Sequence, residues 1–548
     1  MNAWRAAATG CWLFSLASSA GWAGARPAVV GEAIYLHGTL SSGAPVAAMR
    51  GDNVRSQGAT VACVKCHHRS GLGAKEGLLI IPPITGRYLF HSRHAKIDEV
   101  ELPYLDSARA NRESYTDATL ARAMRQGIDS DGKPLDYLMP RYALNDADMR
   151  GLIAYLKELG AGAIPGVTDT VLHFATIITP DADAMKRRGM LDVMQRYFAD
   201  KNTFPFPPSP RMRSSGKTLY AKSMYMAQRH WQLHVWQLTG PAATWAKQLQ
   251  HLLAAEPVMA AVSGLGASNW APVHEFCEHA HLPCLFPNAE VPVVANQDFY
   301  TLYFSRGVLL EADLIANRIG APGEARTGNS VLQIYRAGDS GEPAAKALAA
   351  ALQARSIAVR SQALGAGAPG VGLSDALRGG PEADTLVLWL RPADIAALGE
   401  ATAAPATVYL SGLMGALERT PLPADWRSRT RIVYPFDLPD RSSIRVNLPL
   451  QWFSIRHIPV VAEQVQLDTY LACGLLAETL SHMADTFAPE YLVERAETMI
   501  DHRLMTGLYP RLTLSEGQRF ASKGGFMVKF AGTEGTKLVA DQDWTVPE

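Results

Sequence analysis

The amino-acid sequence predicts a multidomain fold in which a small all-α domain precedes a larger α/β domain of two lobes. The chain has 548 residues, which is more than one ordinary domain holds. Its composition changes near Ala161–Gly166, because a cysteine pair and histidine-rich loops precede this segment and alternating strand-like and helical patterns follow it. We therefore predict a first domain at 26–162 and a second at 163–548.

Residues 1–25 have the pattern of a signal peptide. Arg5 supplies a positive charge, residues 11–20 (CWLFSLASSA) form a short apolar core, and Ala23–Ala25 offers a small-residue cleavage site. This core has about ten residues, whereas a bilayer span needs about twenty, and no later stretch is long and apolar enough. We therefore expect a secreted, periplasmic protein without a transmembrane anchor after the signal is removed.

The overall charge of the chain is balanced, with 52 basic and 52 acidic residues. No global electric field therefore attracts nucleic acid or an anionic membrane. Hydrophobic residues make up 48% of the chain, which excludes extended disorder. We expect no nucleic-acid partner, and partners that are recognised by local surface patches.

In the first domain, the segment Cys63-Val64-Lys65-Cys66-His67 has the C-x-x-C-H spacing of covalent haem attachment. Two thiols bond to the haem, and the adjacent histidine lies beneath the iron as an axial ligand. A thioredoxin-like pair would need a βαβ context, and a zinc site would need a second ligand pair nearby; the sequence shows neither. We expect one covalent haem c on Cys63 and Cys66, with His67 as the first axial ligand.

Met139 is the best candidate for the second axial ligand. It lies in a proline-bounded loop before a helix predicted at 145–159, and its thioether is a soft ligand that raises the reduction potential. With both axial positions filled, the iron has no open site, which favours electron transfer. Without Met139, an open iron would permit peroxidase-type chemistry. The competing ligands are His37, His68, His91 and His94.

This region resembles the class I cytochrome c family from about Gly31 to Gly160. The resemblance implies that the two terminal helices cross and that a carbonyl of Pro82 or Pro83 holds the ligating imidazole. About twenty additional residues (39–58) separate the opening helix from Cys63. The matching segments are the opening helix 31–35, the CVKCH segment, the Pro82-Pro83 loop, DYLMP at 136–140 and the closing helix at 147–159.

Strand-like and helical segments alternate along the second domain. An apolar run at 172–179 predicts a buried strand, and the spacing at 182–200 predicts the helix after it. Such alternation implies parallel sheets with helices on both faces, and it has too many units for one sheet, so we expect two lobes. The other predicted strands are 233–238, 258–264, 282–286, 330–336, 358–364, 385–391, 407–410 and 525–530; the other helices are 244–255, 271–279, 343–355, 461–487 and 489–501; an exposed loop or hairpin is expected at 204–215.

The other cysteines of the mature chain lie in this second domain. In an oxidising compartment Cys277 and Cys284 could form a disulfide, and the alternative is two buried thiols. Cys473 lies on an apolar helix, where we expect a small core residue.

The second domain looks like the type I periplasmic binding proteins, particularly the branched-chain amino acid and amide receptors, on the segment 260–286. The resemblance implies that a small-residue turn with Gly264, Gly266 and Ser268 opens a helix beside the ligand, where a helix N-terminus favours a carboxylate. The alternative is that Ser268 merely caps its helix. After the next strand come Ala289 and Glu290, and Glu290 would repel a carboxylate and prefer an amine or a cation.

The leading functional hypothesis is a periplasmic electron carrier with one His/Met-ligated haem c, coupled to a domain that binds a small molecule or docks a partner. Its redox partner would be a periplasmic, quinoprotein-type dehydrogenase or another cytochrome. One alternative is the solute receptor of an ABC-type transport system with a redox-sensing haem. Another is a haem enzyme with an open iron. We find no catalytic motif in the larger domain, which favours a carrier or binding protein over an enzyme.

Overall fold

The chain divides into two compact units in a computed structural model. The described residues up to Gly162 form the N-terminal unit, and those from Ala163 onward form the α/β unit. The signal segment 1–25, His91, His94 and the loop predicted at 204–215 lie outside the described residues. The structure describes residues 26–76, 79–90, 112–203, 229–295, 298–321, 330–378, 384–398, 406–415, 422–483, 486–500, 507–515, 517–531 and 537–547.

The N-terminal unit is built around two helices that pack against each other, α1 (Pro27–His37) and α5 (Asp146–Glu158). Gly31 makes their close approach possible, because a Cβ atom there would lie 2.2 Å from the Gly151 carbonyl oxygen. Asn145 caps α5 by accepting hydrogen bonds from Ala147 and Asp148. The other helices of this unit are α2 (Val64–His67), α3 (Gly86–Phe90) and α4 (Asp117–Gln126).

The prediction that this unit is all-α is wrong, because it also contains two small antiparallel sheets. The additional residues 39–58 contain a hairpin, at 47–57, whose first strand pairs with a strand that follows Met139. These strands have only two to four residues and no regular apolar alternation, so the sequence pattern does not reveal them. One sheet contains β1 (Ala47–Arg50), β2 (Val54–Gln57) and β5 (Arg141–Tyr142), and the other contains β3 (Ala74–Glu76) and β4 (Leu79–Ile81).

The first lobe of the α/β unit is a parallel sheet with buried central strands, as the apolar runs predict. Its central strand is β6 (Val171–Ile178), and the strand order is β11-β9-β6-β8-β10-β12, with β7 also paired to β6. The remaining strands are β7 (His230–Gln237), β8 (Ala260–Val262), β9 (Leu265–Gly266), β10 (Cys284–Leu285), β11 (Asn288–Ala289) and β12 (Thr301–Leu302), and the helices between them are α6 (Ala184–Lys201), α7 (Trp245–Ala255) and α8 (Ala271–His279).

The second lobe is a seven-stranded sheet of order β14-β13-β15-β16-β17-β18-β19. The first five strands in this order are parallel to one another. The last two pairings, of β18 with β17 and of β19 with β18, are antiparallel. Its strands are β13 (Val331–Arg336), β14 (Val359–Leu364), β15 (Thr385–Trp389), β16 (Thr407–Ser411), β17 (Thr430–Tyr434), β18 (Gly525–Phe530) and β19 (Leu538–Thr545), and its helices are α9 (Val308–Ile319), α10 (Gly341–Gln353), α11 (Leu373–Arg378), α12 (Pro392–Ala396), α13 (Gly412–Gly415) and α14 (Ala424–Arg429).

The chain passes between the two lobes three times. It enters the second lobe before α9, returns to the first lobe after β17, and enters the second lobe again before β18. On its return it forms three helices, of which α15 and α16 bury Phe453 and Leu467 against Val193 of α6. These helices are α15 (Pro439–Ile455), α16 (Glu463–Ser481) and α17 (Pro489–Met499). The two-lobed α/β prediction is therefore confirmed.

Within the part of the chain that the structure describes, no helix is both long and apolar enough to cross a bilayer.

Candidate functional site

The C-x-x-C-H segment of the N-terminal unit forms a single helical turn, α2, which begins directly after Cys63. This turn places Cys63, Cys66 and His67 close together along one short stretch of backbone. His67 is buried, and its Nδ1 atom lies 2.9 Å from the Pro82 carbonyl oxygen. Burial, opposed by this hydrogen bond, lowers the pKa of His67 to about 4, so the ring is neutral at physiological pH.

Nδ1 of the neutral His67 ring must carry the proton, because its partner is a carbonyl that only accepts. The other nitrogen, Nε2, is then a lone-pair acceptor, and it makes no hydrogen bond with any described residue. An imidazole held in this tautomer presents Nε2 to an incoming metal ion. The choice between the two prolines of the loop thus falls on Pro82.

Met139 lies in a loop whose backbone is held from two sides. The guanidinium of Arg141 donates to the carbonyl oxygens of Leu135 and Asp136, both at 3.3 Å, and to that of Met139. On the other side, the hairpin contributes a hydrogen bond from the Gly51 amide to the Tyr137 carbonyl oxygen at 3.1 Å, and β1 pairs with β5. The backbone of the Met139 loop is therefore held by the nearby Arg141 side chain and by the inserted hairpin.

The residues of this unit fit a haem group. Met139 is half-buried and packs against the same hydrophobic cluster that contains Cys63, and His67 leaves Nε2 without a partner among the described residues. Of the competing histidines that the structure describes, His37 is exposed at the end of α1 and His68 directly follows His67. Within the described residues no group of three or more His, Cys, Asp or Glu side chains is arranged to hold a metal ion.

The α/β unit contains a cleft of about 1200 Å³ between its lobes. Segments that follow the carboxyl ends of strands from both sheets line it, which is where open α/β sheets bind ligands. Of the residues that the sequence places beside a ligand in this unit, Gly266, Ser268, Ala289 and Glu290 lie on the wall of the cleft, whereas Gly264 does not.

The turn with Gly264, Gly266 and Ser268 is shaped by packing within the protein. A Cβ atom at Gly264 or Gly266 would lie 2.5–2.6 Å from the ring of Trp270, which is fully buried. The amide and hydroxyl of Ser268 donate to Asp181 Oδ2 at 2.9 and 3.0 Å. The amide and the hydroxyl that the resemblance assigns to a ligand carboxylate are therefore bonded to a carboxylate of the protein itself.

The alternative role for Ser268, as the cap of its helix, is wrong. Helix α8 begins at Ala271 and its N-cap residue is Trp270, and it is Asn269 Oδ1, not Ser268, that accepts a hydrogen bond from the Ala271 amide, at 3.3 Å. The turn continues for two residues beyond Ser268 because the bulky Trp270 ring packs back onto the glycines.

Glu290 is bonded to side chains from both lobes, in a cluster that we call the Glu290 network (Lys186, Glu290, Asp339, Ser340 and Arg391). Its Oε1 lies 2.6 Å from Lys186 Nζ of the first lobe. From the second lobe, Arg391 donates to both carboxylate oxygens at 2.9 and 2.6 Å, and Ser340 donates to Oε2 at 2.6 Å. Arg391 also binds Asp339 at 2.6 Å.

The electrostatics of this network account for the state of Glu290. Burial acts to raise the pKa of Glu290, but Lys186 and Arg391 outweigh it and hold the pKa well below its usual range. The prediction that Glu290 favours an amine or a cation concerned the ligand; in the structure, the cations beside this carboxylate are the protein's own Lys186 and Arg391. Ala289 lies beside it, paired with Gly266 in the sheet.

Three charged residues of this network were not predicted from the sequence: Lys186, Asp339 and Arg391. Each is about 50 to 100 residues from Glu290 along the chain, and each follows a strand or begins a helix without a motif of its own. Their common position after the carboxyl ends of strands was the one available signal.

The remaining cysteines of the α/β unit are free and buried. Cys277 and Cys284 are in contact, and their mutual hydrogen bond, together with burial, raises the pKa of Cys277 well above its usual value. Burial raises the pKa of Cys473 to about 12, which suits an unreactive core position.

Solved structures of solute-binding proteins are similar to this fold. A fatty acid ABC transporter substrate-binding protein from Thermomonospora curvata matches with a TM-score of 0.51 and 14% identity, over 71% of this chain and 95% of that chain. A branched-chain amino acid ABC transporter from Thermus thermophilus with bound valine matches with a TM-score of 0.51 and 8% identity, over 70% and 97%. The protein LivJ from Streptococcus pneumoniae, in complex with isoleucine, matches with a TM-score of 0.50 and 12% identity, over 68% and 100%.

No family model matches the sequence, and no curated protein matches it either. At 8–14% identity these likenesses concern the fold. The larger part of the chain thus has the two-lobed α/β fold of the type I periplasmic binding proteins.

Proposed function

We propose that this chain is a periplasmic solute-binding protein whose α/β unit closes on a small molecule and whose N-terminal unit carries one covalent haem c. The observation that carries the solute-binding part is the cleft of about 1200 Å³, lined by residues that follow strand ends of both lobes. Such clefts, with a few polar groups set among apolar ones, are the usual binding sites for small molecules. The similar solved structures are named as a branched-chain amino acid ABC transporter and as substrate-binding proteins of transporters, and a transporter is accordingly the proposed partner.

Solute binding is tested by thermal unfolding of the full chain in the presence of candidate solutes. A ligand that binds only the folded state raises the unfolding midpoint. At a ligand concentration of one hundred times the Kd, the free energy of unfolding increases by about 2.7 kcal/mol. We expect such an increase for at least one solute, and its loss when Ala289 is replaced by Trp, which would fill the cleft beside β11. A panel of amino acids, amines, alcohols and fatty acids that leaves the midpoint unchanged would count against this function.

The haem part of the proposal depends on His67 and its neighbours. Cys63 and Cys66 would bond the haem covalently, and His67 Nε2 and the thioether of Met139 would be the ligands that hold its iron. The Pro82 carbonyl orients the His67 ring, and Arg141 holds the backbone of the Met139 loop. Once bound, the haem would supply reversible one-electron redox chemistry.

Denaturing electrophoresis followed by a haem stain tests covalent attachment. Wild-type protein from a host that matures c-type cytochromes should keep its haem, and a Cys63→Ala, Cys66→Ala double variant should lose it. A Cys473→Ala variant is the matched control, because Cys473 is buried in the other unit and should leave the stain unchanged. A wild-type chain that releases haem on denaturation would refute covalent attachment.

A second candidate function is electron transfer to or from a partner protein, such as a periplasmic dehydrogenase or another cytochrome. The position of Met139 at the core cluster that contains Cys63 favours it, because two filled axial positions leave no open site on the iron. Carbon monoxide binding separates the alternatives. Wild-type protein should bind it poorly and Met139→Ala should bind it readily, whereas ready binding by the wild type would indicate a haem enzyme with an open iron.

A further inference from the structure

The wall of the cleft contains a buried carboxyl group that the protein leaves incompletely bonded. Asp468 lies on α16, lines the cleft and is 4% exposed. The Tyr509 hydroxyl donates to its Oδ2 at 3.2 Å, whereas Oδ1 is buried and accepts no hydrogen bond from the described part of the chain. Leaving a buried acceptor unsatisfied costs about 1–3 kcal/mol, so a ligand that donates to Oδ1 recovers this free energy.

The tyrosine that bonds to this carboxyl group belongs to a cluster of aromatic rings on the cleft wall. Phe304 and Phe436 flank Tyr509, with ring centroids 5.5 and 5.6 Å from its own, and all three line the cleft. Their faces carry negative partial charge, which attracts cations, and their area suits the carbon skeleton of a ligand. The surroundings of Asp468 thus combine a hydrogen-bond acceptor with an apolar, electron-rich surface.

The charges of the cleft favour a cation over an anion. Among the described residues that line it, carboxylates outnumber basic side chains by seven to four. Every one of these basic side chains is already paired with a carboxylate, so none offers an anionic ligand a positive charge that the protein has not already compensated. The pairs are Lys186 with Glu290, Arg391 with Glu290 and Asp339, Arg336 with Asp394, and Lys537 with Asp440.

We infer that the cleft binds an organic cation, an alkylammonium group whose N–H donates to Asp468 Oδ1 while its carbon skeleton packs against Phe304, Phe436 and Tyr509. This inference rests on the proposed solute-binding function and names the chemical class of the solute. A charge-assisted hydrogen bond in a buried site is about twice as strong as a neutral one. A neutral solute of the same shape gains the aromatic contacts alone.

Isothermal titration calorimetry of the full chain tests this inference with phenethylammonium and its neutral counterpart, 2-phenylethanol. We expect the amine to bind at least about tenfold more tightly than the alcohol, and Asp468→Asn to remove at least about tenfold of the amine's affinity. Asp440→Asn is the matched control. Asp440 is a carboxylate of the same cleft, but it is paired with Lys537 and its side chain is 76% exposed, so the change should be much smaller.

A second measurement needs no variant. Burial raises the pKa of Asp468 to about 7, opposed by the polar contacts of Tyr509 and Gln464, so the carboxyl group is partly protonated near neutral pH. Tyr509 and Gln464 are the groups that act on this pKa, and neither is charged at pH 7. A bound cation ionises the carboxyl group, so titrations in buffers of different ionisation enthalpy should show net proton release near neutral pH, and less of it as the pH rises above the pKa of Asp468.

Three results would overturn the inference: equal affinity of the amine for Asp468→Asn and wild type, equal affinity of the amine and the alcohol, or no proton release. If a neutral or anionic solute raises the unfolding midpoint while the amine does not bind, the cation assignment fails and the solute-binding function stands. If neither the amine nor any solute of the panel binds, both fail.

Discussion

Replacement of Glu290 by Gln removes the charge that joins the two lobes and keeps the shape of the side chain. The carboxylate is 13% exposed and binds Lys186, Ser340 and Arg391. Removing one partner of a buried ion pair costs about 3–5 kcal/mol. In the variant, Arg391 keeps its bond to Asp339, and Lys186 is about one-third exposed. We therefore expect the free energy of unfolding to decrease by about 2–4 kcal/mol.

This loss converts to a shift of the unfolding midpoint. An α/β unit of about 390 residues has an unfolding entropy of roughly 0.8 kcal/mol/K, at about 2.1 cal/mol/K per residue. The Glu290→Gln variant should therefore melt about 3–5 °C below wild type in calorimetry of the full chain at pH 7. Glu342→Gln is the control, because Glu342 pairs with Lys346 on the surface of α10 and its removal should shift the midpoint far less.

The pH dependence checks the cause of the effect. The folded-state pKa of Glu290 lies below the ordinary value of 4.5, so its contribution is complete above pH 4.5 and is lost as the pH falls through the folded-state pKa. The difference between wild type and Glu290→Gln should be constant from pH 6 to pH 8 and should shrink below about pH 4.5. A midpoint that does not change on substitution, or a difference that grows in acid, would refute the ion-pair account.

Three further predictions concern other parts of the chain. Arg141→Ala removes the hydrogen bonds that hold the Met139 loop, so we expect the thioether-to-iron absorption band near the red end of the oxidised spectrum to weaken while the haem stays attached. Gly31→Ala places a methyl group against the Gly151 carbonyl and should destabilise the N-terminal unit by about 1–3 kcal/mol in denaturant unfolding, provided that unit gives a separate transition. Burial raises the pKa of Glu311 to about 8 in the folded state, so protonation of this side chain favours folding in acid. The free energy of unfolding should therefore fall by up to about 1.4 kcal/mol per pH unit between pH 4.5 and 8. Glu311→Gln should flatten this slope, and an unchanged slope would contradict the assignment.

The sequence patterns predicted the elements that depend on local periodicity. The apolar run at 172–179 corresponds to β6 at Val171–Ile178, and the helix predicted at 271–279 is α8 with the same bounds. Such segments are predictable because burial on one or both faces dictates residue type at each position. Helix α15 was missed because Pro449 lies within it and its apolar residues do not form a clear stripe.

The candidate sites were predictable only where a short motif carries the chemistry. The C-x-x-C-H segment located His67, and the tertiary structure added the bond to Pro82. The Glu290 network and the Asp468 carboxyl group were not predictable, because their partners lie 41 to 104 residues away and depend on how the lobes fold. The turn at Ser268 shows the converse case, in which a local pattern that suits a ligand is already used by Asp181.

Mass spectrometry of the protein purified from periplasm, under native and then denaturing conditions, tests the central claim most directly. We predict that the native protein carries one haem and one small molecule. On denaturation the small molecule should dissociate, whereas the haem should remain bonded to the peptide that contains Cys63 and Cys66. A chain that shows neither mass addition, in a host that matures c-type cytochromes and with the solute panel supplied, would contradict the account.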